Sequence, residues 1–266
     1  MVAAPAAAPS GRPATPRTSL TVPIGIAAAI ALTAWSVVGT GLHRGEIWSI
    51  AQAGVIFQEL LQPNWGFAPR TFDAMLETIQ MAVIATTIGC AIALPVSFLA
   101  SRVTAPSQIV LLFDRSVLNV IRALPDLLYA MVFVAALSIG PLPGILALIF
   151  FSIGVVAKLL SETVDGIDVG PLEAARAAGA DRVQTVWTAA LPQVLPHYVA
   201  YSLYAFELNI RASAIIGIVG AGGIGNVLNT QRKFFNYENV SIVIVELFLL
   251  VFVIEVVSIW LRRRLV

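Results

Sequence analysis

LEAARAAGADRVQTVWTAALP, residues 172–192, is the only long run of mixed polarity in the second half of this chain, and strongly apolar segments flank it on both sides. Its local signals are explicit. Pro171 suits the first position of a helix, with Gly170 as the cap and Glu173 inside the first turn. Residues 174–178 are strong helix formers and Gly179 is a stop signal. Asp181 can then cap a second short helix, with Gln184 at the capping-box position. Pro192 disfavours helical geometry before it, so that helix is expected to end near Leu191. The pattern is two short helices joined at Gly179. On these signals alone an ordinary amphipathic surface loop and a docking feature are equally open.

Composition sets the surroundings of this stretch. The chain has 266 residues, of which 58% are hydrophobic and 12% charged, too apolar for a soluble domain. The fold class expected is an all-α membrane protein with about six transmembrane helices. A formal net charge of +1, with no basic patch interleaved with aromatics, gives no sign of a nucleic-acid partner. The single cysteine, Cys90, lies inside an apolar run, so one chain can build neither a disulfide nor a cysteine-based metal site.

Residues 1–20 are rich in Ala and Pro, carry Arg12 and Arg17 without an acid, and read as a disordered cytoplasmic tail. Residues 21–70 form the next unit. Its apolar run 22–42 reads as a retained first span, since it is long for a signal-peptide core and no small-x-small cleavage site follows. Residues 46–61 fit an amphipathic helix at the outer membrane surface, with Ile47, Ile50, Ala51, Val55 and Leu61 near one face. Residues 71–266 are the core, with the loop at 168–192. Its spans are expected at 71–100, at 116–139 with an interruption at Pro125, at 144–160, at 194–216 and at 240–261.

With the N-terminus inside and six spans, the inner side collects ten basic residues: Arg12, Arg17, Arg102, Arg115, Lys158, Arg176, Arg182 and Arg262 to Arg264. The outer side has four, namely Arg44, Arg70, Arg232 and Lys233. The positive-inside rule therefore puts both termini and the 168–192 loop in the cytoplasm.

Glu173-Ala174-Ala175, Gly179 and Leu191-Pro192 resemble the EAA loop of ABC importer permeases, with Ala189 standing where that family usually carries Ile. Arg122-Ala-Leu-Pro125, the run 191–211 and Gly217-Ile-Val-Gly-Ala-Gly-Gly-Ile-Gly225 look like the permease subunit of phosphonate importers, and the likeness extends from about residue 71 to the end. The resemblance implies the type I ABC importer permease architecture, with the loop as a coupling helix that docks on a partner ATPase. It also implies a second copy of this chain, a cytoplasmic ABC ATPase dimer and an extracytoplasmic phosphonate-type substrate-binding protein, in a bacterial inner membrane. No cofactor is expected in this chain, because ATP and Mg would be bound by the partner ATPase.

Charged residues inside apolar runs are the candidate pathway groups. Arg122 and Asp126 lie four apart around Pro125, and Glu207 and Arg211 lie four apart on the fifth span, so each pair is expected to share a helix face. Tyr204 joins Glu207 and Arg211 on one stripe. A bare charge at membrane depth costs about 2.5–3.5 kcal/mol or more, so these groups should face protein or water. Lining the pathway and pinning helices together are both open to them. Lys158 and Glu162 read as a solvated interfacial pair.

Gly220, Gly222, Gly223 and Gly225 fall in a stretch that formally matches GxGxxG after a strand-like 215–219. Without a βαβ context a nucleotide site is not indicated. Close helix packing, or backbone lining the pathway, explains the glycines better. There is no Walker A sequence, no metal-ligand cluster and no catalytic constellation, which sets aside an intramembrane enzyme. A permease for a different small solute remains the alternative.

Overall fold

In the computed structural model the described residues are 21–40 and 50–263. The expected tail at 1–20, Arg44, the start of the amphipathic segment at 46–49, the side chains of Ile50 and Ala51, and Arg264 lie outside them. The described residues form helices and turns with no strand.

Two units are described separately, residues 1–55 and 56–266. In the first, α1 (Thr21–Gly39) is an apolar helix whose described side chains are all exposed. Its 18-residue window 22–39 has a mean hydropathy of 1.9, a composition suited to lipid contact all round. Helix α2 (Ile50–Leu60) ends in the second unit, where Leu61 beyond it is exposed.

The second unit is built on α3 (Ala68–Leu99) and α6 (Pro141–Asp165). They meet in one register throughout. A Cβ on Gly144 would reach the Met81 side chain, one on Gly89 would fall 2.5 Å from Ser152 Cβ, and Ser101 bonds Asp165. The two helices therefore run in the same direction, brought close by buried small residues: Ala82, Ala85, Gly89 and Ala93 against Gly144, Ala147, Ser152 and Ala157.

Helix α9 (Leu191–Gly217) crosses them in the opposite sense. Tyr201 meets Thr163 at 2.9 Å, and further along Asn209 reaches both Thr86 and Ser152. Asn209 is fully buried, and its amide donates at 2.7 Å and 2.8 Å to those two hydroxyls, tying three helices at one point.

Between α3 and α6 the chain does not make one straight span. Helix α4 (Gln108–Ala123) and α5 (Asp126–Leu137) meet at a bend of 85°. Pro125 forces Leu124 out of the helical region, to φ −87° and ψ 129°, which ends α4 one residue earlier. Arg122 and Asp126 therefore do not share a helix face, contrary to the spacing argument, because the helix they would share does not exist.

Among the described residues, four helices or helical stretches are long and apolar enough to cross a membrane, and five if the bent pair counts as one. The expected fifth span, α9, is 27 residues long but is not among them. His197, Glu207, Asn209 and Arg211 dilute its hydropathy, and Glu207 and Asn209 turn inward. Length and burial, rather than apolarity, identify this helix.

Helix α10 (Gly223–Lys233) and α11 (Tyr237–Arg262) complete the unit. Residues 215–219 are not a strand: α9 runs through Gly217 and a glycine turn follows. The ends of the elements on this side of the unit are tied together. Gly140 N–H donates to the Gly220 carbonyl at 3.0 Å, Asn64 N–H to the Glu238 carbonyl at 3.1 Å, and Thr71 Oγ1 to Glu246 at 2.6 Å.

Candidate functional site

At the opposite end of the unit lie α7 (Gly170–Ala177) and α8 (Arg182–Thr185). Gly179 between them has φ +90°, a left-handed value that glycine adopts without strain, and a Cβ there would meet nothing within 4 Å. The capping box forms as the sequence indicates. Gln184 N–H donates to Asp181 Oδ1 at 2.7 Å, and Asp181 N–H to Gln184 Oε1 at 2.9 Å.

Two details differ from the sequence reading. Helix α7 begins at Gly170 itself, and the side chain of Asp168 accepts the Gly170 N–H at 2.9 Å. The Asp-x-Gly turn carries that signal. The second helix also does not stop before Pro192. From α8 the chain passes through a π-helical turn, Val186–Ala190, straight into α9, where Pro192 occupies the first turn. Proline is tolerated there because its missing N–H falls where the wide turn has already broken the regular hydrogen-bond ladder.

Helix α7 is held from beneath. Leu172 is buried among Phe98, Leu160, Val164, Ala190 and Val194. Gln193 clamps the entry to α7, accepting the Asp168 N–H at 3.1 Å and donating to the Asp168 carbonyl at 3.1 Å. Its outer face is free: Glu173 and Ala174 are exposed, as are Ala177, Ala178 and Gly179, while Ala175 is half-buried against the cluster. Leu191 packs partly into the same cluster and Pro192 faces outward. The arrangement presents a short ridge of small side chains with one carboxylate, Glu173, and one guanidinium, Arg176.

Next to this ridge is a junction that the sequence did not suggest. Asp165, at the end of α6, accepts from Ser101 Oγ at 2.7 Å, from Arg102 N–H at 2.6 Å and from Arg115 at 2.8 Å. Arg115 Nε also donates to the Ala100 carbonyl at 2.7 Å. One carboxylate thus joins the ends of α3 and α6 to the middle of α4. An acid at the close of an apolar span, with arginines on two neighbouring segments, is the sequence signal for it.

Glu207 is buried, and its carboxylate takes Arg211 on one oxygen and Arg262 on the other at 3.3 Å. Arg211 also lies 3.4 Å from Glu255. The four groups form a seam between α9 and α11. Tyr204 stands on the same helix, more exposed, outside the hydrogen bonds of the seam. Arg122 and Asp126 line one cleft of about 290 Å³ beside Tyr129 and Phe150, without an ion pair between them among the described residues. Lys158 and Glu162 pair at 2.9 Å and are partly exposed.

The glycine turn is a packing device. Gly222 has φ +82°, and a Cβ on it would lie 3.0 Å from Pro141 Cα and from Glu77. Gly223 has φ +68° and a Cβ there would fall 2.6 Å from Thr78 Oγ1, which accepts the Ile224 N–H at 2.8 Å. Gly220, at φ +94°, packs beside Ile139. These positions leave no room for side chains where α10 enters the bundle.

Residues 93–266 match the family described as binding-protein-dependent transport system inner membrane component. Among curated proteins, the phosphate-import permease protein PhnE of Mycolicibacterium smegmatis is 40% identical over 220 residues, covering 82% of this chain and 41% of the relative. This chain thus spans about two fifths of that relative's length. The phosphite transport system permease protein PtxC of Stutzerimonas stutzeri is 37% identical over 206 residues, 77% of this chain and 75% of the relative. Among solved structures, an inward-facing MetNI methionine ABC transporter chain superimposes with a TM-score of 0.66 at 26% identity, over 76% of this chain and 99% of that one.

Proposed function

Because this chain belongs to the binding-protein-dependent transport system inner membrane components, we propose that it forms the translocation pathway of an ATP-driven importer for phosphonate or a related phosphorus oxyanion, coupled to a separate ATPase through α7 and α8. The observation that carries the reading is the exposed ridge of α7, fixed from beneath by Leu172 and by the Asp168–Gln193 clamp. The substrate class is supported by relatives named for phosphate and phosphite transport.

Charge orients the chain in this reading. The α7 end carries Arg102, Arg115, Arg176 and Arg182, and the opposite end Arg70, Arg232 and Lys233. The excess supports a cytoplasmic α7, within reach of an ATPase. A second copy of this chain, an ATPase dimer holding ATP and Mg, and an extracytoplasmic binding protein complete the importer. Closure of the ATPase dimer pushes α7. Leu172 and Gln193 pass the displacement to α6 and α9, and Asn209 links α9 to α3. Rigid-body rocking of these helices then alternates access.

Glu207 neutralises Arg211 within the seam, so an arginine that meets a passing oxyanion would hold it only weakly. Primary selection then falls to the binding protein.

Cysteine crosslinking tests the docking surface. Ala177→Cys on α7 should crosslink to a cysteine placed in the surface groove of the partner ATPase, with the yield changing when ATP is added. Equal crosslinking of a control cysteine at Asn226, at the other end of the bundle, would contradict the reading.

A further inference from the structure

Beside the α7–α8 ridge, two cavities of opposite character meet. The first is an apolar groove of about 510 Å³ between the last turns of α3 and the π-helical turn, lined by Leu94, Pro95, Phe98, Val183, Trp187 and Leu191. The second is a polar cleft of about 440 Å³ lined by Arg176, Asp181 and Thr185 among others. Thr104, Arg182 and Val186 line both, so the apolar groove and the polar cleft adjoin. Each volume falls within the usual range for small-molecule sites, about 300–1,000 Å³.

We infer that this composite site holds an anionic glycerophospholipid, with an acyl chain in the groove and the phosphate between Arg176 and Arg182. Three observations select that occupant. The groove wall on α3 is the continuation of a span, so the groove lies where a chain in the bilayer can enter it. Trp187 stands at the rim and is 62% exposed, the position of an interfacial aromatic. The cleft supplies two guanidinium groups, and basic pockets at the ends of spans take anionic headgroups.

Arg182 already donates to the Pro106 carbonyl through one nitrogen, which fixes its direction and leaves further donors for a phosphate. Asp181 is the one acid in the cleft, and its Oδ1 accepts the Gln184 N–H in the capping box. Arg176 closes the other side from α7. A lipid held there bridges α3 to the coupling ridge and stiffens the joint between them. The inference rests on the chain spanning a membrane, which its family gives, and is independent of the transported substrate.

Brominated lipids provide the test. Trp35, Trp48, Trp65 and Trp260 are replaced by Phe in the full-length chain, leaving Trp187 as the only indole. The protein is reconstituted in vesicles containing either dibrominated phosphatidylglycerol or dibrominated phosphatidylcholine. Both leaflets carry the same lipid, so insertion direction does not affect the outcome. Half-maximal quenching of Trp187 is expected at about a fivefold lower mole fraction of the anionic lipid, and Arg176→Gln should remove most of that preference. Equal quenching by the two lipids, or none by either, overturns the assignment and leaves the groove to a protein segment.

A second measurement needs no tryptophan substitution. Native mass spectrometry of the wild-type chain should show a retained phosphatidylglycerol that Arg176→Gln loses. Identical lipid counts would overturn the proposal. Phosphonate uptake plays no part in either readout, so a wrong substrate class and a wrong lipid site fail separately.

Discussion

Asp165 and Arg115 meet at 2.8 Å where the end of α6 reaches the middle of α4, each less than a third exposed. Asp165 also holds Ser101 and the Arg102 amide, so removing it frees three donors at once. Asp165→Ala should lower stability by about 2 kcal/mol, read from thermal unfolding in detergent. Arg115→Lys should cost part of this, because lysine keeps the charge but loses the fork that reaches both Asp165 and the Ala100 carbonyl. Unfolding unchanged by both substitutions would remove the junction from the account.

The seam between α9 and α11 separates packing from transport. Glu207 is buried and serves two arginines, so Glu207→Ala should destabilise the bundle by about 3 kcal/mol. Arg211 is nearly half exposed, and Arg262 still covers Glu207 without it, so Arg211→Ala should cost about 1 kcal/mol or less. If Arg211 lines the pathway, that variant will accumulate normally yet lose uptake. Normal uptake at a normal protein level would leave the seam with packing alone.

The glycine turn gives a steric prediction. Gly223→Ala places a methyl 2.6 Å from Thr78 Oγ1 on a backbone with φ +68°. It should destabilise the chain by about 2 kcal/mol, through strain and displacement of the Thr78 hydroxyl. Thr78→Val removes the acceptor of the buried Ile224 N–H and should cost about 1–3 kcal/mol without adding bulk. Thermal unfolding of both variants distinguishes crowding from the lost hydrogen bond.

The sequence made the ridge legible because its signals are local. Gly179 at a left-handed position, the Asp181–Gln184 box and the helix-forming run each act within one turn of chain. The Arg122–Asp126 spacing misled because it assumes an unbroken helix, and Pro125 had already removed that helix. Pro192 misled in the other sense: taken alone it ends a helix, but after a π-helical turn it sits in the first turn of the next. The Asp165 junction and the Asn209 bridge join residues 50 or more positions apart. No periodicity encodes such pairings; they follow from the parallel register of α3 and α6, which tertiary packing sets. Helix α9 escapes a hydropathy criterion for the same reason, since the Glu207 carboxylate and the Asn209 amide nitrogen find their partners on the side chains around them rather than in water.

Coupling through α7 and transport of a phosphorus oxyanion are tested together by uptake of a labelled aminoalkylphosphonate into cells lacking this gene, complemented with the wild-type chain or with Gly179→Asp. At Gly179 a side chain has open space, so the substitution strains only the φ +90° turn and adds a charge at the ridge. The account predicts uptake with the wild type, competed by excess unlabelled phosphonate, and none with Gly179→Asp at an equal protein level. Uptake by Gly179→Asp equal to wild type would contradict the coupling role, and wild-type complementation that restores uptake of neither phosphonate, phosphite nor phosphate would contradict the substrate class.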